Sequence, residues 1–231
     1  MSTLQAAVCC SSVALCALIA AGLLLRRLHA LCYSFLPYVL AVAAGDALML
    51  GWPERFYRWG FWVAKETACG ALKLAVAVEL GLLAFQAFPG ALRRARQVAL
   101  VVALATLAAL AVPVRSTDMG DMALELQPRV DNGSAMLFMG VWALILWYRI
   151  PMHRIHRAIL RGFVPYLLVA TLGLKLVATL GWNVREQAGL LDSGAYLAML
   201  AYWTWEVWRR VPEPLADPAV VARLQPWRAR L

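Results

Sequence analysis

Four ionisable side chains, Asp46, Lys73, Glu79 and Lys175, stand inside long apolar stretches of this sequence. In such company a carboxylate can bind a cation or carry a proton, and an ammonium can balance it or hold an anionic group. A charge placed in an apolar medium costs roughly 2.5–3.5 kcal/mol on insertion scales, so each should face the protein interior and find a partner. At about 1.5 Å of rise per residue, Asp46, Lys73 and Lys175 each fall roughly 9–10 Å inside the nearer ends of their stretches. Three groups on three helices share one depth, and Asp46 with one or both lysines is the natural pairing. Glu79 lies about 9 Å further in than Lys73 and about 120° around the helix, so it answers to another neighbour or to water. The set could line a polar cavity for a small solute or relay protons. Two acids and two bases could equally neutralise each other as an ion-pair lock between helices, with the spare lysine reaching outward.

The elements that must position these groups are seven apolar stretches, at about 5–25, 30–51, 67–88, 97–114, 132–149, 158–182 and 190–208. Hydrophobic residues make up 63% of the 231 and charged residues 15%, too few to cover a water-soluble domain. About 20 apolar residues cross a bilayer core as a helix, and helices leave no backbone group unpaired in lipid. The expected fold is all-α, a polytopic seven-helix membrane domain over 1–210 followed by a basic, Pro-rich tail over 211–231. Arg26 and Arg27 follow the first stretch with no basic residue before it, so it reads as an anchor with its N-terminus exported. With that end outside, the inner segments 26–29, 89–96, 149–161 and 209–231 hold 14 arginines, whereas the outer loops, Lys65 among them, hold six basic residues. The positive-inside rule then gives N-out and C-in, in a bacterial inner membrane. The net charge of +9 is explained by that topology and by anionic lipid heads, not by nucleic acid.

Two stretches read alike. Phe35-Leu-Pro37-Tyr38 leads to Gly45 and Gly51-Trp52; Phe163-Val-Pro165-Tyr166 leads to Gly173 and Gly181-Trp182. Arg27-Leu-His29 and Arg154-Ile-His156 precede them, and Cys69-Gly70-Ala71 matches Ser193-Gly194-Ala195. Regular offsets are the mark of an internal duplication. The expected arrangement is 3+1+3: repeat 1 over about 5–88, a linker helix over about 97–114, repeat 2 over about 132–208. Pro37 and Pro165, at matching places, would kink their helices and could serve as hinges for alternating access, or as static packing.

That architecture resembles, in topology, SWEET sugar transporters, vitamin transporters of the PnuC type and microbial rhodopsins. The chain lacks the Pro-Gln dipeptide of the first, and its seventh stretch has no lysine for a retinal Schiff base. Tyr57, Phe61, Trp62, Glu79, Phe88-Pro89 and Leu92-Arg93-Arg94 resemble a pattern in uncharacterised seven-helix bacterial membrane proteins, which carries over no activity.

Other chemistries find little to build on. His29, His153 and His156 sit in basic segments rather than facing each other in a bundle, so haem, metal and retinal are not expected. Cys9, Cys10, Cys16, Cys32 and Cys69 lack metal-site spacing and read as apolar thiols. No nucleophile triad, phosphate loop or paired-carboxylate set supports an enzyme. Aromatic clusters at 52–62 and at Trp203, Trp205 and Trp208 read as interfacial belts. The expected function is a small-solute or proton-coupled transporter with Asp46, Lys73, Glu79 and Lys175 as its site. The rival is a non-catalytic accessory or scaffold subunit of a larger membrane complex, with membrane-protein partners or as a homo-oligomer. A receptor-like sensor needing a partner for output is the third.

Overall fold

The computed structural model describes residues 3–85, 119–147, 150 and 152–209, with Gln97 and Val101 standing alone. The expected fourth span over 97–114 and the tail over 211–231 lie, those two isolated residues apart, outside the described residues. Among the described residues there are seven α-helices and no strands. They are α1 (Thr3–Leu25), α2 (Phe35–Gly51), the single turn α3 (Pro53–Phe56), α4 (Trp59–Phe85), α5 (Met119–Trp147), α6 (Arg154–Leu180) and α7 (Arg185–Trp208). Three helical segments, Thr3–Leu25, Gly60–Ala84 and Arg154–Leu180, are long and apolar enough to cross a membrane; Phe35–Gly51 and Asn132–Trp147 are shorter apolar helices.

Each helix starts or stops for a local reason. α1 ends where Arg27 takes a left-handed conformation with φ at 55°, which breaks the hydrogen-bond ladder. α6 begins at His153, whose ring accepts from the Ile155 amide at 3.2 Å, and stops at Gly181 with φ at 80°. α4 starts well before the expected boundary at 67, which carries Lys65 and Glu66 into the helix. Both are good helix formers, and continuing the ladder satisfies their backbone groups. Likewise α5 begins at Met119 rather than near 132.

Packing follows chain order and then closes. α1 packs on α2, α2 on α4, α4 on α5, α5 on α6, α6 on α7, and α7 returns to α1. The middle of this ring is filled. Phe163 of α6 stacks on Phe138 of α5 at 4.5 Å and meets Trp203 of α7 edge-on at 4.7 Å. Phe35 and Tyr38 of α2 complete the cluster, at 5.0 Å from Trp203 and 5.2 Å from Phe163. Such edge-to-face pairs add about 0.5–1.5 kcal/mol each beyond the area they bury. Trp203 is thus a core residue and not part of an interfacial belt, its indole donating to the Ala158 carbonyl at 3.1 Å. Its ring lies where a Cβ on Gly162 would collide, so Gly162 is the notch that seats it. Trp205 and Trp208 are exposed, as a belt requires.

The two prolines do not act alike. Pro37 falls in the first turn of α2, where the missing donor has no intrahelical acceptor to lose. Of the two, Pro165 alone lies in a helix interior. The expectation of matched kinks therefore fails at Pro37, because α2 begins at Phe35 instead of near 30.

Candidate functional site

Asp46 is buried, and both of its carboxylate oxygens are engaged. Oδ1 takes the Lys65 ammonium at 2.6 Å, and Oδ2 accepts the Ser12 hydroxyl at 2.5 Å. Ser12 Oγ also lies 2.9 Å from the Tyr196 hydroxyl. A serine has one hydrogen to give. With Ser12 donating to Asp46, the Tyr196 phenol donates to Ser12, and the hydrogen bonds run Tyr196 to Ser12 to Asp46, met from the other side by Lys65. One polar chain thus ties α7, α1, α2 and α4.

Local sequence makes the arrangement possible. Ser12 is a fully buried polar residue in a mostly apolar helix, and Gly45 clears a path beside Asp46. A Cβ at Gly45 would come within 2.9 Å of the Lys65 Cγ and Cδ, so the lysine stem lies directly on the α2 backbone. Glu66 Oε1, 3.8 Å from the Lys65 ammonium, adds a weaker second acid. Taking both charges out of water offsets much of their mutual attraction, but removing one member strands the other at about 3–5 kcal/mol.

The four groups singled out in the sequence are not gathered into one set. Asp46 takes as its cation Lys65, which charge counting had put in an outer loop. Lys73 is buried on the same helix, about 12 Å further along. Lys175 is exposed on α6. Glu79 serves the far end of α2: its oxygens accept the Tyr33 and Ser34 amides at 2.7 and 2.8 Å and the Cys32 thiol at 3.4 Å. A carboxylate on the first amides of a helix satisfies donors that have no partner in the ladder and meets the positive end of its dipole. Ser34, at the cap position, makes no side-chain cap bond to its own helix, so Glu79 of α4 does that work from a neighbouring helix.

Lys65, Ser12 and Tyr196 were not singled out in the sequence. The only signal for Ser12 is a hydroxyl in an apolar run, and Tyr196 looks like any tyrosine near a span. Lys65, beside Glu66, has the look of a solvated pair.

The histidines make contacts with the backbone. His156 Nε2 lies 2.8 Å from the Leu31 carbonyl, and the His153 and His156 rings are 5.8 Å apart. Among the described residues no group of three His, Cys, Asp or Glu is placed to hold a metal. Arginines close the ring at the same end. Arg26 donates to the Val207, Trp208 and Arg209 carbonyls at 2.8, 2.8 and 3.2 Å, and Arg154 to those of Glu206 and Arg209 at 2.9 and 3.1 Å. Two guanidinium groups thus cap the C-terminus of α7. Comparison with protein-family models, with curated proteins and with solved structures finds no match.

Proposed function

We propose that the chain is a proton-coupled transporter of a small anionic solute in the bacterial inner membrane, N-out and C-in, built of seven spans in a 3+1+3 repeat. The observation that carries this reading is the hydrogen-bonded chain Tyr196–Ser12–Asp46 closed by Lys65. Every bond in it points at the carboxylate, so a proton delivered to Asp46 can be passed back along the same hydroxyls. Protonation removes the negative charge that holds Lys65. The freed ammonium, shielded from water, then needs a counter-anion, and a solute carboxylate or phosphate meets that need. Proton and anion would enter together, and Lys73 further along α4 is the next cation on the route. Asp46, Lys65 and Lys73 are the site in this reading, with Glu79 and Lys175 outside it.

Two arrangements support the setting. The ring order makes the α4–α5 and α7–α1 contacts equivalent under exchange of the two halves, as a parallel repeat requires. The Phe163–Trp203–Tyr38 cluster closes the middle of the ring about 12 Å from Asp46 along α2, as a gate on one side of a site would.

The rival reading, an accessory subunit, draws on the same cluster: Asp46 is already satisfied by side chains of the chain itself, as in a lock between helices. Proteoliposomes with a pH-sensitive dye in the lumen separate the two, since a proton carried in with a monoanion moves no net charge. With acetate, succinate, glutamate and phosphate applied at acid pH, the transporter acidifies the lumen in an anion-dependent way for at least one, and Asp46→Asn does not. Silence of the intact protein across such anions favours the accessory subunit, which native co-purification would then reveal as a stoichiometric partner.

A further inference from the structure

At the end of the molecule opposite Gly51, where α6 begins and α7 ends, two cavities lie side by side. One, of about 220 Å³, is lined by Arg154, Arg157, Arg161, Tyr202, Glu206 and Arg209. The other, of about 530 Å³, is an open apolar groove along the α1–α7 seam between Leu18, Thr204, Trp205 and Trp208, and Arg209 borders it too. Arg209 stacks on Trp205 at 4.8 Å and forms the ridge between them.

The charges in the first cavity do not cancel. Four guanidiniums face one carboxylate, leaving three positive charges. Glu206 is spoken for by Arg154 and Arg209, at 3.7 and 3.9 Å. Among the described residues no acid pairs with Arg157 or Arg161; Arg161 only lies over the Trp142 ring at 5.8 Å. Two neighbouring forks without an acid match the non-bridging oxygens of one phosphate diester. A second observation narrows the ligand. Glu206 has a side chain 8% exposed, and its Oε2 has no hydrogen-bond partner among the described residues. That oxygen, whose cation is the Arg154 guanidinium at 3.7 Å, keeps its lone pairs free of hydrogen bonds and can take one from a bound group.

We infer that this end holds an anionic glycerophospholipid whose headgroup carries hydroxyl donors, phosphatidylglycerol being the simplest. Its phosphate sits on Arg157 and Arg161, its headgroup hydroxyl gives to Glu206 Oε2, and one acyl chain lies in the Leu18–Trp205–Trp208 groove. The net positive charge of the cavity favours an anionic lipid over a zwitterionic one. The site needs the chain to be in a bilayer but is independent of the Asp46 relay, so either can fail alone.

Native mass spectrometry of the detergent-solubilised full chain tests it, with phosphatidylglycerol, phosphatidylethanolamine and inorganic phosphate added in separate arms. Intact protein should retain phosphatidylglycerol in preference to the other two. Arg157→Gln with Arg161→Gln should weaken that retention roughly ten- to thirtyfold. Both side chains are exposed, so the variant should keep its melting temperature, and Lys175→Gln, exposed on the same helix, serves as the control. Equal retention of both lipids, retention insensitive to the double variant, or free phosphate binding as tightly as the lipid would each overturn the assignment.

Discussion

The Lys65 ammonium lies 2.6 Å from Asp46 Oδ1, and the two side chains are only 14% and 6% exposed. A pair this sheltered stabilises mainly by not being broken. Lys65→Met should destabilise the protein by about 3–5 kcal/mol through the carboxylate it strands. Asp46→Leu combined with Lys65→Met should recover most of that loss, because two apolar residues need no partners. Thermal unfolding in detergent reads both. A double variant no more stable than the single ones would mean that the pair is not isolated in this way.

The hydroxyls of the relay are predicted to matter more for function than for folding. Tyr196→Phe removes one hydrogen bond and should cost about 1 kcal/mol. Ser12→Ala leaves Asp46 Oδ2 without its donor and should cost about 1–3 kcal/mol. Both should slow anion-dependent proton uptake far beyond what the fraction of unfolded protein explains. Uptake that tracks only the folded fraction would make the hydroxyls structural.

Glu79 makes the opposite prediction. Glu79→Gln leaves one good acceptor for two amides and should lower stability by about 1–2 kcal/mol, comparable to losing a helix cap. Amide hydrogen exchange at Tyr33 and Ser34 should speed up, while anion-dependent proton uptake is unchanged. A loss of uptake without faster exchange would put Glu79 in the transport site.

Two glycines separate packing from mere sequence pattern. Gly162→Ala pushes into the Trp203 ring and should cost about 1–3 kcal/mol as an overpacked contact. Gly45→Ala should shift the Lys65 stem and loosen its bond to Asp46, whereas Gly173→Ala, whose Cβ would find its nearest neighbours at 3.9 Å, should be tolerated. Melting temperatures order the three. Equal effects at positions 45 and 173 would argue that the matching sequence around them also means matching packing.

The helical class was legible because apolar runs long enough to cross a bilayer leave little else for the backbone to do. Asp46 was legible for the same reason: a carboxylate in an apolar run must have a partner. Which partner was not. Helical rise and mean depth pointed to Lys73 and Lys175, but depth says nothing about rotation about the helix axis, and Lys175 turns outward. Lys65 was missed because the start of α4 was drawn from hydropathy, and charged residues next to a turn look like loop until the ladder is seen to include them. Trp203 was taken for an interfacial residue because its neighbours Trp205 and Trp208 are, yet those three positions do not all face the same way around α7. Glu79 was recognised as separate from the other charges by its angle, but its ligand is a helix terminus, which composition cannot reveal.

In the proposed transport cycle Asp46 takes up a proton together with an anion. Proteoliposomes loaded with a pH-sensitive dye, given an inward proton gradient and supplied with acetate, succinate, glutamate or phosphate, test it most directly. The intact protein should acidify the lumen in an anion-dependent way, an activity abolished in Asp46→Asn and strongly slowed in Tyr196→Phe. Anion-dependent acidification that proceeds at the same rate in Asp46→Asn would contradict it.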